Sequence, residues 1–486
     1  MHTKIKILAS ALALGTLIAT AAEPKTPVSL NAADYPTLQA AVDALPITGG
    51  TIVLPPGLIK LDKTLNLSYA AKKYPQFAVY LRGAGKMATT ILLDTKGQPG
   101  LDFTGNAYWK VSDLHILNRS ANVGALLART PANGRGCSGE FSNVMFSGCY
   151  PIAAVYMTGA EVCRFFNCNI KNQLMKFYNS GVEGMTEGEA ALMVSPSNIR
   201  NVQSPYCEEG TGGGSNTELS IIGCTIGSDA PKSAAIKIFG SASDIRIVGS
   251  YLHSTGFAAI YLDGTKGNLS NISIRDVRIE CEKAEHALYA IGHVNMITIE
   301  GGAWISTKEL ILQEAAPVAF VDAGGPCVSK TGAATKWKIS QLSLCIWDGW
   351  GYGKGEDKNA QEYRGGVENT AWPDDVPHVF MRFDKLTDSV IEPCEMITIR
   401  NRDAKPDGNA KTLQTVNGLT VEQAGAINEA SFMPGDGNQK LRDRQRLISV
   451  GPESAGNRIT AVTEQQLDIP QTAAGDNFIT ILRKKK

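Results

Sequence analysis

His253 and Glu280 lie one 25–27-residue repeat apart and Asp229 and Glu282 two repeats apart, each just after a short apolar run. Side chains of these types support two kinds of bond cleavage. Paired carboxylates serve hydrolysis, one giving a proton while the other activates water or attacks directly. A histidine base beside a cation serves elimination: a proton is removed next to a carboxylate, and the cation neutralises that carboxylate. Asp229, Glu280 and Glu282 fit the first chemistry. His253 as base, with Arg275 or Arg278 as neutraliser, fits the second. His286, in the turn Glu282-Lys283-Ala284-Glu285-His286, fits either, and Asp263 is a further candidate.

The elements that position these residues are copies of one pattern. Copies start at Ile245, Ile272 and Ile297, and eight segments align without gaps: 109–116, 139–146, 163–170, 219–226, 245–252, 272–279, 297–304 and 337–344. Their third positions are Val111, Phe141, Phe165, Ile221, Ile247, Ile274, Ile299 and Ile339. Their sixth positions are smaller on average, from Leu114 and Val144 through Cys168, Cys224 and Ser250 to Gly302. Alternation with β-branched residues argues strand. Second strands follow at 153–157, 234–238, 258–262 and 287–291. One copy cannot bury its own apolar face, so copies must stack, with strands about 4.8 Å apart. Stacking makes His253 and Glu280 neighbours. It puts Asp229 and Glu282 on one face two copies apart, on the order of 10 Å. Polar residues in such turns are more often simply solvated than catalytic. Arg275 and Glu300 share a column and are expected to form a surface ion pair worth little.

The 486 residues carry a formal net charge of zero, which argues against a nucleic-acid or membrane-surface partner. Residues 1–22 read as a secretory signal: Lys4 and Lys6, an apolar run from Ile7 to Ala19, then the small residues Ala19-Thr20-Ala21. No later stretch approaches the ~20 apolar residues of a membrane-spanning helix. Export permits disulfides. The ten cysteines contain no CxxC, so a zinc ribbon is not expected. Several sit at the inward sixth position, where a free Cys packs as a small hydrophobe; one or two disulfides remain open.

Near the N-terminus, Asp34-Tyr35-Pro36-Thr37-Leu38-Gln39-Ala40-Ala41-Val42-Asp43 has helical spacing at Leu38, Ala41, Val42 and Leu45. Gly50-Thr51-Ile52-Val53-Leu54 follows as a strand, ended by Pro55-Pro56-Gly57. This stretch, with Val79-Tyr80-Leu81-Arg82-Gly83-Ala84-Gly85 and Thr90-Ile91-Leu92-Leu93, resembles the N-terminal signature of the pectate-lyase-like superfamily. The resemblance runs from about Asp34 to Thr307. It implies an all-β, right-handed parallel β-helix (a solenoid) with an N-terminal capping helix, and a carbohydrate-related role. The polygalacturonase-like set of Asn-Thr-Asp, Asp-Asp, Gly-His-Gly and Arg-x-Lys is absent as a set, as is the Arg-x-Pro-x-x-Arg motif of calcium-dependent pectate lyases. The resemblance therefore lends no catalytic residues. The cofactor is left open: calcium is compatible with the chain but has no EF-hand or RTX-type motif behind it, and no metal ligands are singled out.

The expected organisation is a signal at 1–22, the β-helix at 23–390, and final turns or a cap at 391–486. Inserted loops lie near 179–216 and 347–377. Trp347, Trp350, Tyr352, Tyr363 and Trp372 in the second loop, with Tyr206 in the first, are candidates to stack on sugar rings. The expected function is cleavage of a polysaccharide, by a lyase ahead of a glycoside hydrolase. A non-catalytic glycan-binding or surface protein is the alternative.

Overall fold

The computed structural model describes residues 28–68, 78–129, 137–173, 188–202, 216–230, 233–254, 256–281, 286–307, 321–325, 334–348, 378–400, 445–461, 467–469 and 477–482. The described chain is almost all β, and its strands pair in parallel within one sheet. Each strand bonds to its copy one repeat earlier and one repeat later. The eight aligned segments pair in the register their alignment requires. The row of third positions runs Leu30, Ile52, Leu81, Val111, Phe141, Phe165, Ile221, Ile247, Ile274, Ile299, Ile339, Ile391, Ile459 and Ile479. From Ile52 to Ile459 every member is at most 1% exposed, whereas Ile479 at one end is 38% exposed. The ladder crosses residue 390 without a break, because Val390–Ile391 pairs onward with Arg458–Ala461.

Six of the aligned segments are each split into two strands, while 109–116 and 139–146 lie within the single strands Tyr108–Asn118 and Gly139–Ser147. In all eight the fifth residue has positive φ, between +51° and +68°: Asp113, Asn143, Asn167, Gly223, Gly249, Asp276, Gly301 and Gln341. The residue just before the segment does the same at Val162, Glu218, Asp244, Asn271, Met296 and Lys336. Left-handed backbone is cheapest for Gly, Asn and Asp, which explains the composition of the fifth position. The bend turns the chain by one residue, so both the third and the sixth residues face the core. Corner side chains also bond along the stack. Asn143 Nδ2 donates to Asp113 Oδ1 at 2.8 Å, and Asn167 Nδ2 donates to Asn143 Oδ1 at 3.4 Å.

A second row follows past the next corner: Leu101, Ala125, Val155, Leu192, Ile236, Ile260 and Leu288. It includes a strand, Ala190–Ser195, inside the stretch that reads as an insertion at 179–216. All six of its residues are buried. A strand covered on both faces shows no alternation, which hides it from periodicity. The helix Leu38–Asp43 is capped by Thr37, whose hydroxyl accepts from Ala40 N at 3.1 Å. Its Leu38, Ala41 and Val42, with Leu45, join the same core as Ile52 and Leu81. Among the described cysteines, Cys137, Cys163, Cys168, Cys224, Cys281 and Cys394 are buried free thiols, and Cys149 is buried. Among the described residues no helix is long and apolar enough to cross a membrane.

Candidate active site

The strands Asn169–Asn172, Thr225–Ser228, Tyr251–Ser254, Arg278–Cys281 and Ala303–Thr307 lie side by side in that order. Ile170, Ile226, Leu252, Ile279 and Trp304 point into the core and are fully buried. Alternation therefore sends two rows outward. One is Asn169, Thr225, Tyr251, Arg278 and Ala303; the other is Lys171, Gly227, His253, Glu280 and Ile305. His253 and Glu280 are thus direct neighbours, as the repeat spacing predicts.

Gly227 makes room for His253. A Cβ on Gly227 would lie 2.8 Å from the imidazole Cδ2 and Nε2. The ring lies over that glycine and reaches Asp229, with His253 Nδ1 3.9 Å from Asp229 Oδ1. Asp229 follows the strand by one residue, and its backbone N donates to Asn172 O at 3.0 Å. Burial raises the Asp229 pKa above its ordinary 3.8, and the nearby charge of Lys171 only partly offsets this. On the other side of His253, Glu280 Oε2 accepts from the Tyr251 hydroxyl at 2.5 Å, and Oε1 accepts from the Arg278 guanidinium. Arg278 also lies over the Tyr251 ring, 5.6 Å from its centroid.

The arrangement joins a carboxyl biased toward its protonated form, an imidazole, an anchored carboxylate and two cations on one half-exposed face. Asp229 and His253 approach at ion-pair rather than hydrogen-bond distance. Tyr251 and Lys171 take part without having been singled out by the sequence; Tyr251 is detectable as the residue two before His253, on the same face. Among the described residues no group of three or more His, Cys, Asp or Glu could hold a metal ion.

Other candidates stand elsewhere. Arg275 lies before the left-handed corner at Asp276, in the row Val248–Arg275–Glu300, and its Nε is 3.5 Å from Glu300 Oε2. It is an exposed ion-pair partner, and Arg278 is the arginine beside His253. His286 is not in a turn. It opens the strand His286–Glu300, pairs with Ala258 where earlier repeats carry Ala153, Ala190 and Ala234, and is 6% exposed. Its ring packs on Phe257 and Tyr289, at 5.2 Å and 4.9 Å between centroids. Asp263 lies on the second row of strands and accepts from Thr265 N and Oγ1 at 3.0 Å and 2.5 Å. Trp347 pairs through its backbone with Thr307. Glu282, Tyr206, Trp350, Tyr352, Tyr363 and Trp372 lie outside the described residues.

No protein-family model matches the chain. No curated protein sequence matches it either. Solved structures do. DFA-IIIase from Arthrobacter chlorophenolicus A6 in complex with GF2 is 10% identical, with a TM-score of 0.52 over 94% of this chain and 99% of that one. The same enzyme in complex with DFA-III is 11% identical, with a TM-score of 0.50 over the same shares. ORF18 of Geobacillus virus E2 is 11% identical with a TM-score of 0.38, and the match spans 65% of its length. At these identities the DFA-IIIase likeness is one of fold.

Proposed function

We propose that this protein is an exported right-handed β-helix, capped by its N-terminal helix, that cleaves a polysaccharide at the Asp229–His253–Glu280 row. The observation that carries the reading is the contact between Asp229 and His253, set directly beside Glu280 on an outer face. A fold shared with an enzyme crystallised with DFA-III and GF2 supports a carbohydrate substrate.

β-Elimination uses the row most completely. Neutral His253 takes the proton from the carbon next to a sugar carboxylate, and Arg278 or Lys171 neutralises that carboxylate. The C–H electron pair becomes a C=C bond as the neighbouring carbon releases the glycosidic oxygen. The share of Asp229 that burial keeps protonated gives its proton to that oxygen. Imidazolium and carboxylate are then left 3.9 Å apart, and the proton returns from His253 to Asp229, resetting the pair. Tyr251 and Glu280 hold Arg278 in place.

Hydrolysis is the second reading, favoured by the raised pKa of Asp229. That carboxyl would act as general acid and Glu280 as base or nucleophile. Both readings place Asp229 on the leaving oxygen; only elimination needs His253 as base. His253→Ala should therefore lower turnover by 100-fold or more on the elimination reading, in line with the ~10²–10⁴ typical of a general base. Arg275→Ala should stay within about twofold, since surface ion pairs contribute little. A His253→Ala enzyme with near-normal turnover would remove elimination at this row.

A further inference from the structure

The second row of strands has an outer face of its own. In register it carries Tyr156, Met193, Lys237, Tyr261 and Tyr289. Tyr156 and Met193 are fully buried, because the segment after Ser195 folds over them. Tyr156 Oη lies 3.1 Å from Ser195 Oγ and donates to Ser197 O at 3.3 Å, and Val202 packs in the same small cluster. Among the described residues that covering segment ends at Val202. Lys237, Tyr261 and Tyr289 beyond it are half-buried, and so is Phe257.

Three rings cluster past that step, tilted 59–77° to one another rather than lying in one plane. Centroids lie 4.8 Å apart for Phe257 and Tyr289, 5.4 Å for Tyr261 and Tyr289, and 5.7 Å for Phe257 and Tyr261. The Lys237 ammonium sits 5.7 Å from the Tyr261 centroid. Fixed polar groups rim the rings. Glu189 binds Lys237 at 3.0 Å and Arg200 at 2.5 Å, and Asp263 lies near the Tyr261 hydroxyl.

We infer that Phe257, Tyr261 and Tyr289 are a sugar-binding subsite that holds an uncharged face of a glycan chain away from the bond being cut. The inference rests on the carbohydrate reading above. Sugar rings present flat C–H faces to aromatic planes and hydroxyls to a polar rim, which matches rings edged by Glu189, Lys237 and Asp263. Among the described side chains, the two cations at the rim, Lys237 and Arg200, are balanced by the two carboxylates, Glu189 and Asp263. The cluster is also within reach of the candidate active site. His253 and Phe257 are four residues apart, which limits their Cα separation to about 14 Å.

The test is calorimetric titration of tetragalacturonate, cellotetraose and an inulin-type tetrasaccharide into the His253→Ala protein. Tyr261→Leu and Tyr289→Leu are then added in that background, with Tyr261→Phe and Tyr289→Phe as controls. Leu keeps the volume but removes the ring, and Phe keeps the ring. The expected result is binding of at least one tetrasaccharide, weakened tenfold or more by each Leu variant and within about twofold in the Phe variants. In the otherwise native enzyme the Leu variants should raise KM and leave kcat near normal. Retained binding with unchanged affinity in both Leu variants would overturn the subsite while leaving the cleavage reading intact. Absence of binding to all three sugars, together with absence of cleavage, would overturn both.

Discussion

Asp229 shows how this site trades stability for chemistry. Its side chain is 14% exposed, and burial disfavours its charge. A carboxyl whose folded pKa is raised contributes stability that is fully present below the ordinary 3.8 and is lost as pH rises through the raised value. At neutral pH its buried charge therefore weighs on the fold. Asp229→Asn should melt at a higher temperature than the native protein at pH 7, with the gain shrinking to nothing below about pH 3.8, while turnover collapses. Thermal melts across that range check the sign; a variant less stable at pH 7 would mean the carboxylate is paid back by a partner. The residue types of this row were legible in the sequence, since spacing alone aligned His253 with Glu280. The placement of His286 was not. Its strand reads as starting at Ala287, and nothing in the pattern says that a histidine takes a position held by alanine in four other repeats.

The left-handed corners are the element-scale device. They need one residue per bend to accept φ near +55°, and most corners use Gly, Asn or Asp. Val162 does not: a β-branched residue at φ +53° is strained. Val162→Gly should stabilise the protein by up to about 1 kcal/mol in denaturant melts, as the left-handed penalty of about 1–2 kcal/mol is released against the added chain entropy. Gly249 tests the converse. A Cβ there meets nothing within 4 Å, so Gly249→Ala should cost only the backbone term, about 1 kcal/mol. A loss several times larger would point to contacts the corner does not show. The eight-residue alignment captured the register of every aligned strand pair but read each segment as one strand, which holds only for 109–116 and 139–146. The signal for the bend was present as a fifth position made of Asp, Asn, Gly and Gln. It was missed because the core-facing residues on both sides of the bend keep the segment looking apolar. Ala190–Ser195 was missed for the opposite reason, being buried on both faces.

At the scale of the whole molecule, one apolar row threads nearly the full described chain, from Leu30 to Ile479. Truncating it in the middle, as in Ile247→Ala, should cost about 2–5 kcal/mol, the range for a buried Ile that cannot be refilled. Export is the other whole-chain expectation: N-terminal sequencing of protein recovered outside the cytoplasm should begin near Ala22 or Glu23. The central claim is that the Asp229–His253–Glu280 row cuts a polysaccharide, with elimination as its best-supported chemistry. Its most direct measurement is a polysaccharide panel followed in two channels at once, ultraviolet absorbance of an unsaturated product and release of reducing ends. Both signals should rise together on a uronic-acid polymer and vanish in His253→Ala. Reducing ends without absorbance would replace elimination by hydrolysis at the carboxylates. Silence in both channels, with glycan binding retained, would contradict the account and leave a binding protein.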